Sequence, residues 1–268
     1  VSILPQKTFV ERIGGDGVDV HVMVGAGQSP ATYEPTPRQI RTLAEADLYF
    51  RIGVPFEDEW IGHLKTANPR MTIVDTRRGI DLRRMEKLDV MTGHETHDGD
   101  AHAELHRGGK DPHIWMDPDL VKIQARTIGD ALQKIDWSRA SLYQQNLADF
   151  EAELDRLDAT LREQLAGLKN RTFMVFHPSL GYFADAYDLR QLAIQIEGKS
   201  PGPKTLVALI EFASENDIQT IFVQQQFSQK SARAIADTIG ARVASINPLA
   251  EDYVANMKRL ARAVAGEG

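Results

Sequence analysis

The chain has 268 residues, 42% of them hydrophobic, enough to bury the core of one large domain or two modest ones. A formal net charge of -7, with no basic run interleaved with aromatics, excludes a nucleic-acid surface, and no stretch of about 18 apolar residues is present to span a membrane. Zero cysteines exclude disulfides, thiolate metal sites and cysteine nucleophiles, and leave the redox compartment open.

In chain order, residues 1–4 read as a short apolar strand, 6–13 as a helix and 18–24 (VDVHVMV) as an alternating second strand. This opening resembles folded α/β sequence rather than a signal peptide, so the chain is expected to carry no export signal. Residues 25–37 (GAGQSPATYEPTP) are dense in Gly and Pro and predict a loop. A helix over 38–46, a strand over 47–52, a helix over 57–66 and a strand over 71–75 complete a first lobe. His21 and His63 fall inside these elements and are expected to be structural or surface residues.

Five of the eight histidines fall within Gly93 to Asp117. His94, His97, His102 and His106 alternate with Glu95, Asp98, Asp100 and Glu104 among glycines, a composition that predicts a mobile, metal-binding surface loop over 93–109. Imidazoles and carboxylates suit zinc and related divalent ions. The loop leads into Asp111-Pro112-His113-Ile114-Trp115-Met116-Asp117-Pro118, where His113 stands among apolar residues before a helix start. Asp117 is a good N-cap and Pro118 suits the first helical position, so the backbone at His113 should be rigid. A loose His loop feeding a fixed histidine is a pattern of metal capture.

An amphipathic helix is predicted over 118–135. Ser138 can cap a much longer one to about residue 168, with Leu147, Phe150, Leu154, Leu157, Leu161, Leu165 and Leu168 three or four apart. At 1.5 Å per residue this helix is roughly 45 Å long, enough to run the length of a two-lobed molecule. Its leucine stripe is expected to pack within a monomer rather than form a coiled coil.

The second half alternates strands over 172–176, 192–196, 220–223 and 242–246 with helices over 180–187, 206–215, 228–239 and 252–265. The expected fold is therefore α/β, with two lobes, each a mainly parallel four-stranded sheet flanked by helices, joined by one long helix. The expected boundaries are 1–137, 138–168 and 169–268. Ligands bind beyond the carboxyl ends of such strands, where His177, Gln224 and Asn247 stand. His113 and His177 are expected to face each other across a cleft as metal ligands.

The stretches SILPQKTFVERIGGDGVDVHVMV, SPATYEPTP, DPHIWMDP, FHPSLGYFADAYDL and INPLAEDY, in that order, resemble the zinc- and manganese-binding solute-binding proteins of ABC transporters, the zinc-uptake type above all. The resemblance implies two α/β lobes tied by a rigid helix, zinc rather than manganese held between them, an extracytoplasmic or periplasmic location and a membrane ABC permease as partner. It places metal ligands at His113, His177 and Asn247, with a possible contribution from His94, His97, His102 and His106. The family's first histidine falls on Ala31, which has no donor atom, and its acidic ligand on Asn247. A glutamate often found at the Gln224 position is also neutral here. Water, an anion, Glu34 or a loop histidine would then complete the shell. Two other readings are a degraded site that binds another small ligand, and a metal-dependent hydrolase with Glu34 or Asp111 as base. The chain has no HExxH, GxSxG or phosphate-binding glycine loop, and no enzymatic activity is expected.

Overall fold

A computed structural model of the chain describes residues 1–85, 109–195 and 201–267. They build two compact units that interleave along the sequence: Val1–Asp81, Asp117–Arg162 and Leu249–Arg259 form the first, and Leu82–Met116, Glu163–Pro248 and Leu260–Gly268 the second. The expected boundaries at 137/138 and 168/169 follow chain order; these units instead exchange segments.

In the first unit, α1 (Leu4–Gly14) starts at once because Pro5 lies in its first turn, where the missing N–H costs nothing. The expected opening strand is thereby cut short. Ile3 makes a single parallel bridge to Val24, supported by Met23 N–H to the Val1 carbonyl and Val24 N–H to the Ser2 carbonyl, both 3.0 Å. Thr36 caps α2 (Pro37–Leu43) and Gln39 reciprocates at the cap backbone. β1 (Leu48–Arg51), α3 (Pro55–Ala67) and β2 (Thr72–Asp75) follow, with β1 and β2 parallel from Leu48↔Thr72 to Arg51↔Asp75. Among the described residues this unit thus has a two-stranded sheet and one bridge, where four strands are expected from the sequence.

The Asp117 side chain accepts from Asp119 N–H and caps α4 (Pro118–Ile135), as its sequence predicts. Ser138 does not cap the long helix. It sits in a 3-10 turn, Trp137–Arg139, and α5 runs from Ala140 to Ala166. Phe150, Leu154, Leu157, Leu161 and Leu165 are buried along one stripe of α5. Each such side chain contributes about 1.5–3 kcal/mol, against about 0–1 for a surface ion pair such as Arg12–Glu153, so the stripe decides the helix's placement. Within the first unit, Phe9 packs against Phe150 at 5.9 Å and edge-on against Tyr253 at 5.1 Å.

Among the described residues the second unit has a four-stranded parallel sheet. β3 (Thr172–Val175), β4 (Arg190–Ala193), β5 (Thr220–Gln224) and β6 (Arg242–Ile246) lie in the order β4-β3-β5-β6. α6 (Gly181–Ala186), α7 (Pro203–Glu215) and α8 (Lys230–Ile239) connect them, and α9 (Tyr253–Val264) ends the chain's helices. β4 begins two residues earlier than expected because Asp188, at φ 52, turns the chain straight from α6 into the sheet. Met174, Ile194, Leu209, Ile221, Val223 and Ile235 form the centre of the core. Among the described residues no helix is long and apolar enough to cross a membrane.

Candidate metal centre

His177 leaves the carboxyl end of β3 after Phe176, whose N–H still pairs with the Phe222 carbonyl at 2.8 Å. The turn is held by Gln224 at the end of β5. Its Oε1 accepts from His177 N–H at 3.1 Å, and its Nε2 donates to the His177 carbonyl at 2.6 Å and to Ser179 Oγ at 2.8 Å. Gln224 is buried with both ends of its amide occupied, so it positions His177 rather than offering a donor to an ion. A glutamate here would set an oxygen against the His177 carbonyl. The neutral amide has a local reason.

His177 Nδ1 lies 2.8 Å from Gln195 Oε1. Gln195 follows β4, and its N–H extends the sheet by donating to the Phe176 carbonyl at 2.8 Å. The His177 ring stacks on Phe227, with centroids 5.1 Å apart. Burial, followed by the nearby His113 ring, lowers the His177 pKa from 6.5 to about 4, although its bond to Gln195 opposes the shift. The imidazole is neutral at pH 7, the state in which it ligates metal.

His113 precedes a 3-10 turn, Ile114–Met116, whose three side chains are buried. The fully buried Asp111 holds it twice: Oδ1 accepts from His113 N–H at 3.0 Å and lies 2.7 Å from Nδ1. This short-range carboxylate bond explains the Asp-Pro-His spacing. Asp111 Oδ1 thus serves both the backbone and the ring of His113. Trp115 packs tilted against the His113 ring, with centroids 5.0 Å apart, and donates its indole N–H to the Pro248 carbonyl at 2.9 Å, tying this turn to the loop that carries Asn247.

The two imidazoles meet directly, with ring centroids 5.3 Å apart at 71°. Each has an acceptor at Nδ1, which puts the proton there and leaves Nε2 as the lone-pair nitrogen. Two neutral imidazole nitrogens of this kind are donors that suit a borderline divalent ion. Asn247, partly buried, stands just beyond β6. Among the described residues no group of three or more His, Asp or Glu side chains gathers to hold a metal. Ala31 and Glu34 are exposed residues of the first unit. His94, His97, His102 and His106 lie outside the described residues. His21 and His63 are exposed, as their settings suggest.

The sequence reading passes over Arg83, Tyr182 and Gln195. Arg83 Nη1 is 3.5 Å from Asp111 Oδ2, and the Tyr182 hydroxyl donates to the Asp111 carbonyl at 2.9 Å. Burial pushes the Tyr182 phenol up to about 12, keeping it a neutral donor. None of the three sits in a motif with a chemical signature, and only the fold brings them to Asp111 and His177.

Comparison with known proteins gives a consistent answer. A crystal structure of ZnuA superposes with a TM-score of 0.89 at 42% identity, covering 99% of this chain and 96% of that one. A ZnuA deletion mutant with zinc bound matches with a TM-score of 0.87 at 42% identity, covering 98% and 95%. A putative metal-binding protein of Treponema pallidum is 30% identical over 90% of this chain and 75% of its own length. The high-affinity zinc uptake system protein ZnuA of Bacillus subtilis is 27% identical over 92% and 77%. The family model described as zinc-uptake complex component A, periplasmic, matches residues 1–266, and the chain belongs to that family.

Proposed function

We propose that this chain is the extracytoplasmic zinc-binding component of an ABC uptake transporter, which captures zinc as cargo on His113 and His177 and passes it to a membrane permease. The observation that carries this reading is the pair of neighbouring imidazoles, each with Nδ1 engaged by a fixed acceptor. The zinc bound in a 42%-identical ZnuA structure supports the choice of ion.

Two histidines supply half of a tetrahedral zinc shell. The Asn247 amide oxygen is a third, weaker donor in this reading, and water or a histidine among His94, His97, His102 and His106 supplies the fourth. A solute-binding protein needs no bond-making step; it needs an ion-dependent difference that the permease can read.

The test is a zinc titration of metal-stripped protein under a competing chelator, repeated with manganese and with the His113→Ala/His177→Ala variant. One tight zinc equivalent, absent in the variant, is expected. Weak binding indifferent to both substitutions would show instead that the fold has been kept and its ligand changed. Deleting residues 93–109 then reports whether the His-rich stretch contributes a donor: weaker zinc binding assigns one to it, and unchanged affinity assigns the shell to the remaining residues.

A further inference from the structure

Residues 83–85 pair antiparallel with 109–111. Asp111 N–H donates to the Arg83 carbonyl at 3.0 Å, Met85 N–H to the Gly109 carbonyl at 2.9 Å, and Arg84 bridges Lys110. From this ribbon the Arg83 side chain crosses the start of α6. Its Nη1 is 3.5 Å from Asp111 Oδ2, its Nε is 3.0 Å from Asp185 Oδ2, and its guanidinium carbon is 5.8 Å from the centre of the Tyr182 ring. Its backbone N–H donates to the Tyr182 hydroxyl at 3.1 Å, which in turn donates to the Asp111 carbonyl. Gly181 makes the crossing possible: a Cβ there would fall 1.4 Å from Arg83 Nη1 and 2.9 Å from Asp111 Oδ2.

These contacts join the two segments that carry the imidazoles. Asp111 stands two residues before His113 and holds its Nδ1, while Gly181, Tyr182 and Asp185 belong to the helix that His177 leads into. We propose that Arg83 is a positioning residue for metal capture, a guanidinium clasp that fixes the His113 segment against α6 and so sets the spacing of the two imidazoles before the ion arrives. The proposal rests on the metal-centre reading given above.

The physical argument concerns charge and shape. Asp111 is fully buried, and a buried carboxylate that loses its cation is costly enough to seek water or another partner. If it turns away, His113 loses the acceptor that fixes its tautomer and orientation, and such supporting contacts are typically worth about 10–100-fold in metal affinity. Arginine suits the role because its separate nitrogens reach Asp111 and Asp185 together. A lysine ammonium is a single point of charge.

The experiment compares wild type with Arg83→Met, Arg83→Lys and Asp185→Asn by zinc affinity under a competing chelator, by the visible absorption of the cobalt-loaded protein and by melting temperature. Arg83→Met is expected to weaken zinc binding by about 10-fold or more and to shift the cobalt bands, a signature that a stability defect alone does not produce. Arg83→Lys should recover part of both, and Asp185→Asn should move both in the same direction by less. A folded Arg83→Met protein with wild-type affinity and an unchanged cobalt spectrum would overturn the clasp while leaving the site intact, provided His113→Ala still abolishes binding. If His113→Ala has no effect, the metal-centre reading itself fails and the clasp goes with it. Should Arg83→Met not fold, Asp185→Asn decides, and wild-type behaviour in both readouts rejects the proposal.

Discussion

The ring of His113 meets that of His177 edge to face, each with its Nδ1 proton directed to a fixed acceptor, a buried carboxylate for the first and an amide oxygen for the second. The two acceptors differ in charge, so the two imidazoles differ in donor strength. Replacing Asp111 by Asn keeps its size but removes the anion behind His113. Zinc affinity, measured by chelator competition, is expected to fall about 10–100-fold. Unaltered affinity would show that the carboxylate's charge does not reach the ion.

Gln224→Glu tests the turn beneath His177. A carboxylate can still accept from His177 N–H, but it replaces the donor that serves the His177 carbonyl and Ser179 Oγ. Leaving a buried carbonyl facing an anion should cost about 1–3 kcal/mol at neutral pH. Urea denaturation reads this directly, and zinc affinity should fall with it. A wild-type midpoint would mean that the turn finds another donor.

Two groups with opposite signs govern stability in acid. The native His177 pKa, about 4, lies below its ordinary 6.5, so between these values the unfolded chain takes a proton that the native chain refuses. Its burial therefore lowers stability as pH falls through that window, by about 1.4 kcal/mol per pH unit. Asp117 does the reverse. Burial raises its pKa from 3.8 to about 6, so the native chain takes up the extra proton and gains stability as pH falls from about 6 towards 3.8. Urea midpoints of metal-free protein from pH 7 to 4 should thus change little in wild type. His177→Gln should rise on acidification, and Asp117→Asn, which keeps an N-cap, should fall more steeply. Parallel curves for all three would refute both assignments.

Restoring a charged donor should tighten capture. Asn247→Asp places a carboxylate at the position of the proposed third donor, just beyond β6. It is expected to strengthen zinc binding by roughly an order of magnitude, equivalent to about 1.4 kcal/mol, with isothermal titration as the measurement. No gain from Asn247→Asp would remove residue 247 from the shell.

The alternation of strand and helix made the second unit legible, because its central strands β3 and β5 are buried almost throughout and read as short apolar runs between turn residues. The first unit was less so. Its opening VSIL and VDVHVMV have strand composition, but Pro5 begins a helix and leaves one bridge in place of two strands. His113 and His177 were legible through Asp-Pro-His and through a histidine at a strand end. Arg83, Tyr182 and Gln195 were not, since they reach Asp111 or His177 across 18 to 71 residues of sequence, a relation that no local pattern encodes. Ser138 is the converse case: a good capping residue was taken instead by a 3-10 turn, where its hydroxyl donates to Asp136.

Trp115 carries a practical consequence. Its indole is sealed from solvent and packed against His113, whereas Trp137 is 83% exposed and Trp60 lies near the surface. Their emission should therefore separate by wavelength, with Trp115 at the blue edge and Trp137 at the red. On the proposed reading, an ion on His113 polarises the ring packed against the buried indole. The blue edge should then follow zinc loading in the unlabelled protein, in real time, and a Trp115→Phe variant supplies its blank.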